Sequence, residues 1–180
     1  MKDEELVYKI QNGEKELYGE IMERYEGKLF GYIKHLVNQE PEEVEDLVEE
    51  VFISGYINLQ SFDSKKRFSS WIYRIAHNKA IDYFKKKKTY TKGLTEDNEE
   101  LLPNEEKLTE ELQIEEERKM KIKEAIDKLE VKYREAIILN YFEEKSYDEI
   151  SDILHIPVSH VGVILFRAKK ILKEKLKDIN

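Results

Sequence analysis

The chain has 180 residues, of which 39% are charged and 40% hydrophobic, with seven glycines and three prolines. This composition favours amphipathic helices that fill the core of one domain or two small ones. There is no cysteine, which excludes disulfides and cysteine-based zinc or redox sites. The first residues lack the apolar core of a signal peptide, and no apolar run approaches the ~18 residues that cross a bilayer. We therefore expect a cytoplasmic protein without direct membrane insertion.

The formal net charge of −8 conceals four blocks of alternating sign. Charge in blocks suggests that different segments contact different partners, so the negative total does not exclude a nucleic-acid binder. By residue range the charge is −10 over 1–64, +9 over 65–92, −10 over 93–117 and +3 over 118–180.

Helical periodicity dominates the first half of the chain. Apolar residues recur at helical spacing over 6–37, and Gly13 and Gly27 are the expected breaks, so two helices are predicted there. Pro41 can open a third helix, because proline is tolerated in a first turn. After the stretch SFDSKKR, a fourth helix is predicted to run to about Lys87.

The middle of the chain changes character. Residues 89 to about 116 are polar and acidic with scattered leucines, which predicts a flexible linker. Whether the chain becomes helical after Pro103 is left open by the sequence. Helical periodicity then returns at Met120 and continues through Tyr141. The prediction is an all-α fold of two small helical domains joined by an acidic flexible linker. The ranges are 1–88 for the first domain, 89–117 for the linker and 118–180 for the second domain.

A helix-turn-helix is predicted in the second domain. Ser146 and Glu149 have the spacing of a capping box, the tripeptide HIP suits a tight turn, and Ser159 is available to cap a longer second helix. The start of that second helix would face a DNA major groove, and its basic residues would reach phosphates. Ordinary helical packing is the alternative interpretation. The groove candidates are Ser159, His160, Gly162 and Val163, and the phosphate candidates are Arg167, Lys169, Lys170 and Lys173.

The predicted fourth helix, FSSWIYRIAHNKAIDYFKKKK, has two faces. A helical wheel gathers Phe68, Ile72, Ile75, Ala76, Ala80 and Tyr83 on one side and Ser70, Arg74, His77, Asn78, Ile81 and Lys85 on the other. The first side suits a core. On the second side, cations can neutralise phosphates and Asn78 can bond a base edge, while Trp71 lies at the boundary, where a base can stack. A membrane surface or an unspecific polyanion patch stays open as an alternative.

Three motifs occur in order along the chain: EDLVxEVF, FxSWxYRIAxNxAIDYxKKKK and SYxEIxxILxIPxxxV. Together they closely resemble the extracytoplasmic-function group of bacterial RNA polymerase sigma factors over most of residues 8–88 and 120–176. The resemblance implies a non-enzymatic protein that binds core RNA polymerase and promoter DNA and is controlled by an anti-sigma factor. It implies no cofactor, metal or small-molecule substrate.

The same resemblance assigns roles to residues. The first domain would dock on core polymerase and recognise and melt the −10 element, and the second would bind the polymerase flap and recognise the −35 element. Phe68 has both a core and a pocket role, which sequence does not separate. The docking residues are Asp46, Leu47, Glu49, Glu50 and Phe52; the −10 residues are Phe62, Lys65, Lys66, Arg67, Phe68, Trp71, Arg74, His77, Asn78 and Lys85; the −35 residues are Ser159, His160, Val163, Phe166, Arg167 and Lys170.

Some features depart from the family pattern or admit other interpretations. Glu49 stands where the family usually has Gln, and the acidic row around it also suits a solvated face or a divalent metal. Gly162, Val163 and Ile164 replace the usual basic or hydroxyl residues, so few hydrogen bonds are expected to recognise the −35 element.

The sequence carries no enzyme motif: the four histidines form no HExxH pair, and no phosphate loop or nucleophile motif is present. A duplex-binding regulator and a protein-interaction module remain alternatives.

Overall fold

The computed structural model describes residues 1–91 and 110–177, and these residues form helices and turns without a strand. The all-α prediction is confirmed for this part of the chain. Most of the predicted linker, 89–117, lies outside the described residues. The helices are α1 (Asp3–Gln11), α2 (Tyr18–Val37), α3 (Pro41–Asn58), α4 (Phe68–Thr91), α5 (Glu110–Asp127), α6 (Val131–Ile137), α7 (Tyr147–Leu154) and α8 (Val158–Lys177).

Helices α1 to α4 form the N-terminal module, residues 1–91, around one apolar core. Gly13 has a φ of 114° and separates α1 from the next turn, as predicted. The predicted break at Gly27 is wrong, because α2 continues through it. Tyr25 and Leu29 on either side of this glycine are buried, and their packing holds the helix together across an exposed position of low helix propensity.

Helices α3 and α4 begin by different means. Pro41 opens α3 with acidic residues in its first turn, as predicted. The first turn of α4 is capped from a distance, because the backbone N–H of Phe68 donates to the carboxylate of Glu4 in α1 over 3.0 Å. An anion at a helix N-terminus satisfies orphan N–H groups and suits the helix dipole. This contact between α1 and α4 therefore helps to fix Phe68 as the first residue of the basic helix α4.

Helices α5 to α8 form the C-terminal module, residues 110–177. Helix α5 begins inside the predicted linker, and α6 runs into a π-helical segment, Ile138–Phe142. The capping box of α7 is confirmed: the N–H of Glu149 donates to Ser146 over 3.3 Å, and the N–H of Ser146 donates to Glu149 over 2.9 Å. The predicted cap at Ser159 is wrong, because α8 starts at Val158 and the carbonyl of Pro157 accepts from His160 over 2.9 Å.

The two modules lie against each other, with α4 and α2 of the first packed on α7 and the π-helical segment of the second. Buried residues of both modules belong to one continuous cluster. Among the described residues, no single helix combines the length and apolar character needed to cross a membrane, although α7 and α8 taken together as a bent pair pass a test of length and composition.

Candidate nucleic-acid interface

The loop before α4 presents three cations on a turn organised by one acid. The backbone N–H of Lys65 donates to the Asp63 carboxylate over 3.0 Å, and that of Lys66 donates to the Asp63 carbonyl over 2.9 Å. Both lysines and the following Arg67 are exposed. An Asx-type turn of this kind defines the loop backbone through main-chain donors, so the lysine ammonium groups take no part in it.

An aromatic cluster lies beneath this loop. Phe62 and Phe68 are 5% and 0% exposed, and their rings are 5.5 Å apart. Trp71 packs at 5.2 Å from Phe62 but is only partly buried. Of the two roles considered for Phe68, the structure shows the core one. Phe62 and Phe68 therefore have no open face for a base in this arrangement, whereas Trp71 is partly exposed.

Helix α4 turns part of its predicted polar side outward. Asn78 and Lys85 are exposed, and Arg74 and His77 are half-buried. The prediction that Ser70 lies on this side is wrong, because Ser70 is 5% exposed and its hydroxyl has no protein partner. The wheel assumed a single core face, but α4 is packed by α3 on one side and by the C-terminal module on another.

The predicted core side of α4 is largely as expected. Ile72, Ala76 and Ala80 are buried, and Tyr83 is half-buried. The hydroxyl of Tyr83 donates to Glu43 of α3 over 2.5 Å, and burial together with that carboxylate raises its pKa. Tyr83 therefore joins α4 to α3 through its polar end as well as its ring.

Helices α7 and α8 cross at 101°, inside the range of helix-turn-helix motifs, about 90–120°. His155 makes the turn with a left-handed backbone, φ 57°. All six residues predicted for −35 contact are exposed on α8, and Phe166 is 70% exposed. Beside them, the Lys169 ammonium lies 5.1 Å from the Tyr141 ring, and contact with Tyr141 raises its pKa. The face is open and basic, with apolar side chains at its centre.

Helix α3 carries the acidic row. Asp46 and Glu49 are exposed, while Glu50 pairs with Lys79 of α4 at 3.1 Å. Leu47 and Phe52 are 7% and 4% exposed, so they support this surface from the core and do not line it. Within the described residues, no three His, Asp or Glu side chains converge as metal ligands.

An apolar extension of this row was missed by sequence reasoning. Ile53, Tyr56 and Ile57 are 52%, 44% and 70% exposed on α3. Large apolar side chains left exposed in adjacent turns indicate a protein-contact surface. The signal in the sequence was that apolar residues of this helix occupy more than one face.

Residues 21–90 match the Sigma-70 region 2 family, and residues 119–172 match the Sigma-70 region 4 family. The chain is 32% identical over 182 residues to the ECF RNA polymerase sigma factor SigW of Bacillus subtilis, an alignment that covers 96% of each protein. The chain belongs to the ECF RNA polymerase sigma factors.

Solved structures agree with this sigma-factor fold. CnrH, in a complex with the cytosolic domain of CnrY, matches with a TM-score of 0.74 and 21% identity over 99% of each chain. The sigma factor RpoE, in a complex with the anti-sigma factor NepR from Bartonella quintana, matches with a TM-score of 0.70 and 21% identity over 89% of this chain and 96% of that one. The family match fits the predicted partners, since sigma factors bind core RNA polymerase and promoter DNA.

The sigma factor also has a polar contact between its modules that sequence reasoning missed. His77 of α4 lies 2.6 Å from the carboxylate of Glu135 in α6. Arg67 lies 3.5 Å from Glu149 of α7. Two residues predicted for −10 contact therefore have acidic partners from the other module. No local pattern signals these pairs, because their members are 58 or more positions apart in the sequence.

Proposed function

We propose that this sigma factor opens the −10 element with the loop 63–67 and the outward side of α4, and recognises the −35 element with α8. The observation that carries the proposal is the continuity of exposed Lys65, Lys66 and Arg67 with Arg74, Asn78 and Lys85 along α4. Cations in such a row track a phosphate backbone, and the asparagine among them supplies a base-edge donor and acceptor.

Strand opening needs more than a basic surface. Unstacking and unpairing a base costs a few kcal/mol, which a protein offsets by holding the flipped base. The half-buried Trp71, packed against the rings of Phe62 and Phe68, offers a stacking surface at the edge of the loop. Phe62 and Phe68 support this surface from below in the described arrangement.

Recognition of the −35 element is proposed to rest on shape and apolar contact more than on hydrogen bonds. Val163 and Phe166 are 47% and 70% exposed at the centre of the α8 face. Apolar side chains in a major groove contact thymine methyl groups. Arg167 and Lys170 are exposed beside them and suit phosphates, while Ser159 and His160 remain as donors at the helix start.

Docking on core polymerase is proposed for the surface of α3 that combines Asp46 and Glu49 with Ile53, Tyr56 and Ile57. An apolar centre with charged residues at its rim is the usual composition of a protein interface. Glu50 belongs to the rim, where its pair with Lys79 is exposed enough to exchange partners.

The proposal also covers an anti-sigma factor that binds this chain and the acidic segment between the two modules. Two solved relatives by fold are complexes, one with the cytosolic domain of CnrY and one with the anti-sigma factor NepR. We therefore expect an anti-sigma factor to bind this chain and block its polymerase-docking surfaces. The acidic segment 93–117, with a charge of −10, is proposed to enter a positively charged channel of the polymerase.

Run-off transcription with core polymerase freed of sigma factors and a library of promoter fragments tests the function. Specific initiation supports it; DNA binding without initiation would indicate a regulator instead, and neither would indicate an interaction module. Failure of core polymerase to bind the chain in the absence of any inhibitor would contradict the whole proposal.

Asn78→Ala tests the −10 assignment in the same assay. Loss of a base-edge contact worth about 1–3 kcal/mol lowers initiation roughly 5- to 150-fold. Asn12→Ala, which removes an exposed asparagine from the end of α1, is the matched control and should initiate normally. If Asn78→Ala and Asn12→Ala initiate equally well, Asn78 does not recognise the −10 element.

A further inference from the structure

The chain that leads into the loop 63–67 is held by one side chain of α1. The amide of Gln11 donates to the carbonyl of Leu59 over 2.8 Å and to the carbonyl of Phe62 over 2.9 Å. An amide nitrogen carries two hydrogens, so these two bonds use both of them. Because the acceptors are main-chain carbonyls, the half-buried Gln11 fixes the path of the backbone just before the loop.

The end of the same loop is held by the same helix. The carboxylate of Glu4 accepts from the N–H of Phe68, the first residue of α4, over 3.0 Å. Glu4 and Gln11 are seven positions apart, which is about two helical turns, so both lie on one side of α1. The three cations of the loop are therefore carried between two anchor points on a single helix face.

Helix α1 is itself firmly seated in the N-terminal module. Three of its apolar side chains are 2% exposed or less: Leu6, Val7 and Ile10. At its start the carboxylate of Asp3 accepts from the Arg24 guanidinium over 2.7 Å and from the Tyr25 hydroxyl over 2.5 Å, both on α2. The helix that anchors the loop is thus fixed to α2 by apolar and polar contacts.

The two anchor points also lie beneath the proposed stacking surface. Gln11 contacts the main chain of Phe62 and Glu4 that of Phe68. The rings of these two phenylalanines lie 5.2 Å and 5.5 Å from that of Trp71. A shift at either anchor would move the aromatic support of Trp71. Binding groups of a site need placement to within about 0.5 Å, which supporting hydrogen bonds provide.

We propose that Glu4 and Gln11 are positioning residues for the −10 element, which hold the loop 63–67 and Trp71 in the geometry that captures an unpaired base. The proposal rests on the proposed −10 function of this loop. It adds that base preference depends on two side chains of α1 that have no DNA contact of their own. A displaced loop keeps its charge and so its attraction for phosphates, but loses the geometry that distinguishes bases.

The first experiment measures loop placement without DNA. Trp71 is the single tryptophan of the chain, so its fluorescence and its quenching by acrylamide report how the full chain packs around it. Glu4→Ala and Gln11→Ala should each increase the quenching. Because one ordinary hydrogen bond changes an equilibrium by roughly 2- to 12-fold, the displaced population should rise by about that factor for each bond lost.

Two matched variants separate loop placement from general weakening of α1. Glu4→Gln keeps an acceptor oxygen for the N–H of Phe68 and should restore the quenching of the parent. Asn12→Ala removes a side-chain bond to the Tyr8 carbonyl, 2.7 Å long, within the same helix. Because that bond does not involve the loop, Asn12→Ala should also quench like the parent.

The second experiment measures base preference in the holoenzyme with core polymerase. Promoter fragments that share one functional −35 sequence and carry randomised −10 positions are transcribed, and the transcripts are sequenced. A recognised base pair is selected by roughly 5- to 150-fold. Glu4→Ala and Gln11→Ala should each lower the largest −10 selection ratio by about 2- to 12-fold. Total affinity for the fragments should change by less than about two-fold, because the loop charges remain.

A second library, with the −10 sequence fixed and the −35 positions randomised, provides the internal control. Its selection ratios should equal those of the parent in every α1 variant, whereas a merely destabilised protein would initiate less from all fragments without a change of preference. Circular dichroism melts establish that each variant is folded. Gln11→Ala carries the test if Glu4→Ala, which loses the cap of α4, does not fold.

The outcomes separate positioning from the −10 function itself. Greater quenching with lower −10 ratios and parental −35 ratios supports positioning. Parental quenching in the folded variants overturns it, as do parental −10 ratios or an equal fall in −10 and −35 ratios. If Lys66→Ala and Trp71→Ala both leave every −10 ratio at the parental value, the loop does not recognise the −10 element, and the proposed function of the loop fails together with positioning.

Discussion

Helices α4 and α8 are both proposed to contact promoter DNA, yet they are embedded in the molecule differently. Helix α4 is packed on one side by α3 and covered on another by the C-terminal module, and the exposed residues among those described are Asn78, Asp82, Lys85, Lys86 and Lys87. Helix α8 packs its apolar side inward and exposes all six proposed contact residues. On α4 the residue type is therefore a poor guide to exposure, whereas on α8 every residue with a proposed −35 role is exposed.

The sharpest test of this difference compares two phenylalanines. Phe68→Ala should destabilise the protein by about 3–5 kcal/mol, because a fully buried ring is lost from the core. Phe166→Ala, at a position 70% exposed, should change stability by less than about 0.5 kcal/mol but weaken −35-dependent promoter binding. Urea denaturation and promoter binding measure the two effects. Equal destabilisation by both variants would contradict the contrast.

The next test probes how tightly α3 and α4 are packed. A Cβ added at Gly55 would lie 2.8 Å from the Tyr18 hydroxyl and 3.0 Å from Ile72 of α4. Gly55→Ala is expected to cost about 1–3 kcal/mol by overpacking. Gly27→Ala is the control, since nothing lies within 4 Å of a Cβ there. Thermal unfolding measures both, and an unchanged midpoint for Gly55→Ala would show that the two helices are loosely packed.

Gly162 of α8 should respond to alanine in the opposite way to Gly55 of α3. A Cβ at Gly162 would meet Tyr147 at 3.7 Å, an ordinary contact distance. Gly162→Ala should stabilise the protein by about 1 kcal/mol, the gain in helix propensity. Chemical denaturation gives the stability, and competition between promoter fragments shows whether −35 preference changes. If Gly162→Ala is less stable than the parent, α8 is packed as tightly around Gly162 as α3 is around Gly55.

The smallest expected effect concerns Glu149, which caps α7 and faces Arg67 before α4. Burial raises its pKa, but hydrogen bonds from Ser146 and the charges of Lys145 and Arg67 outweigh burial, so the net shift is downward. A lowered pKa means that the stabilisation is present above the ordinary value of 4.5 and is lost as the pH falls through the lowered value.

Glu149→Gln should therefore be less stable than the parent near neutral pH, by about 0.5 kcal/mol. The difference should shrink below pH 4.5. Unfolding free energies at several pH values measure it, with Asp148→Asn, an exposed neighbour in the same first turn, as the control. A difference that persists unchanged in acid would mean that the carboxylate charge is not what stabilises the cap.

Local signals predicted most of the helices. Pro41 opening α3 and the capping box of Ser146 and Glu149 depend on neighbours a few residues away, and both are present as predicted. The predictions that failed at Gly27 and Ser159 also used local rules. Helix α2 continues through Gly27 because Tyr25 and Leu29 are buried, which outweighs the low propensity of one glycine. Helix α8 starts before Ser159 because the carbonyl of Pro157 accepts the first hydrogen bonds.

The sequence by itself determined the all-α class, the blocks of charge, the helix-turn-helix and the membership in the sigma-factor family, because these depend on periodicity, composition and short motifs. Only the tertiary structure decided which side of α4 is free. Phe62 and Phe68 lie under the loop, Ser70 is buried, and His77 meets Glu135, 58 positions away. A helical wheel assumes one apolar side and one solvent side. Helix α4 packs against α1, α2, α3 and α7, and only their positions in space establish which of its side chains stay exposed.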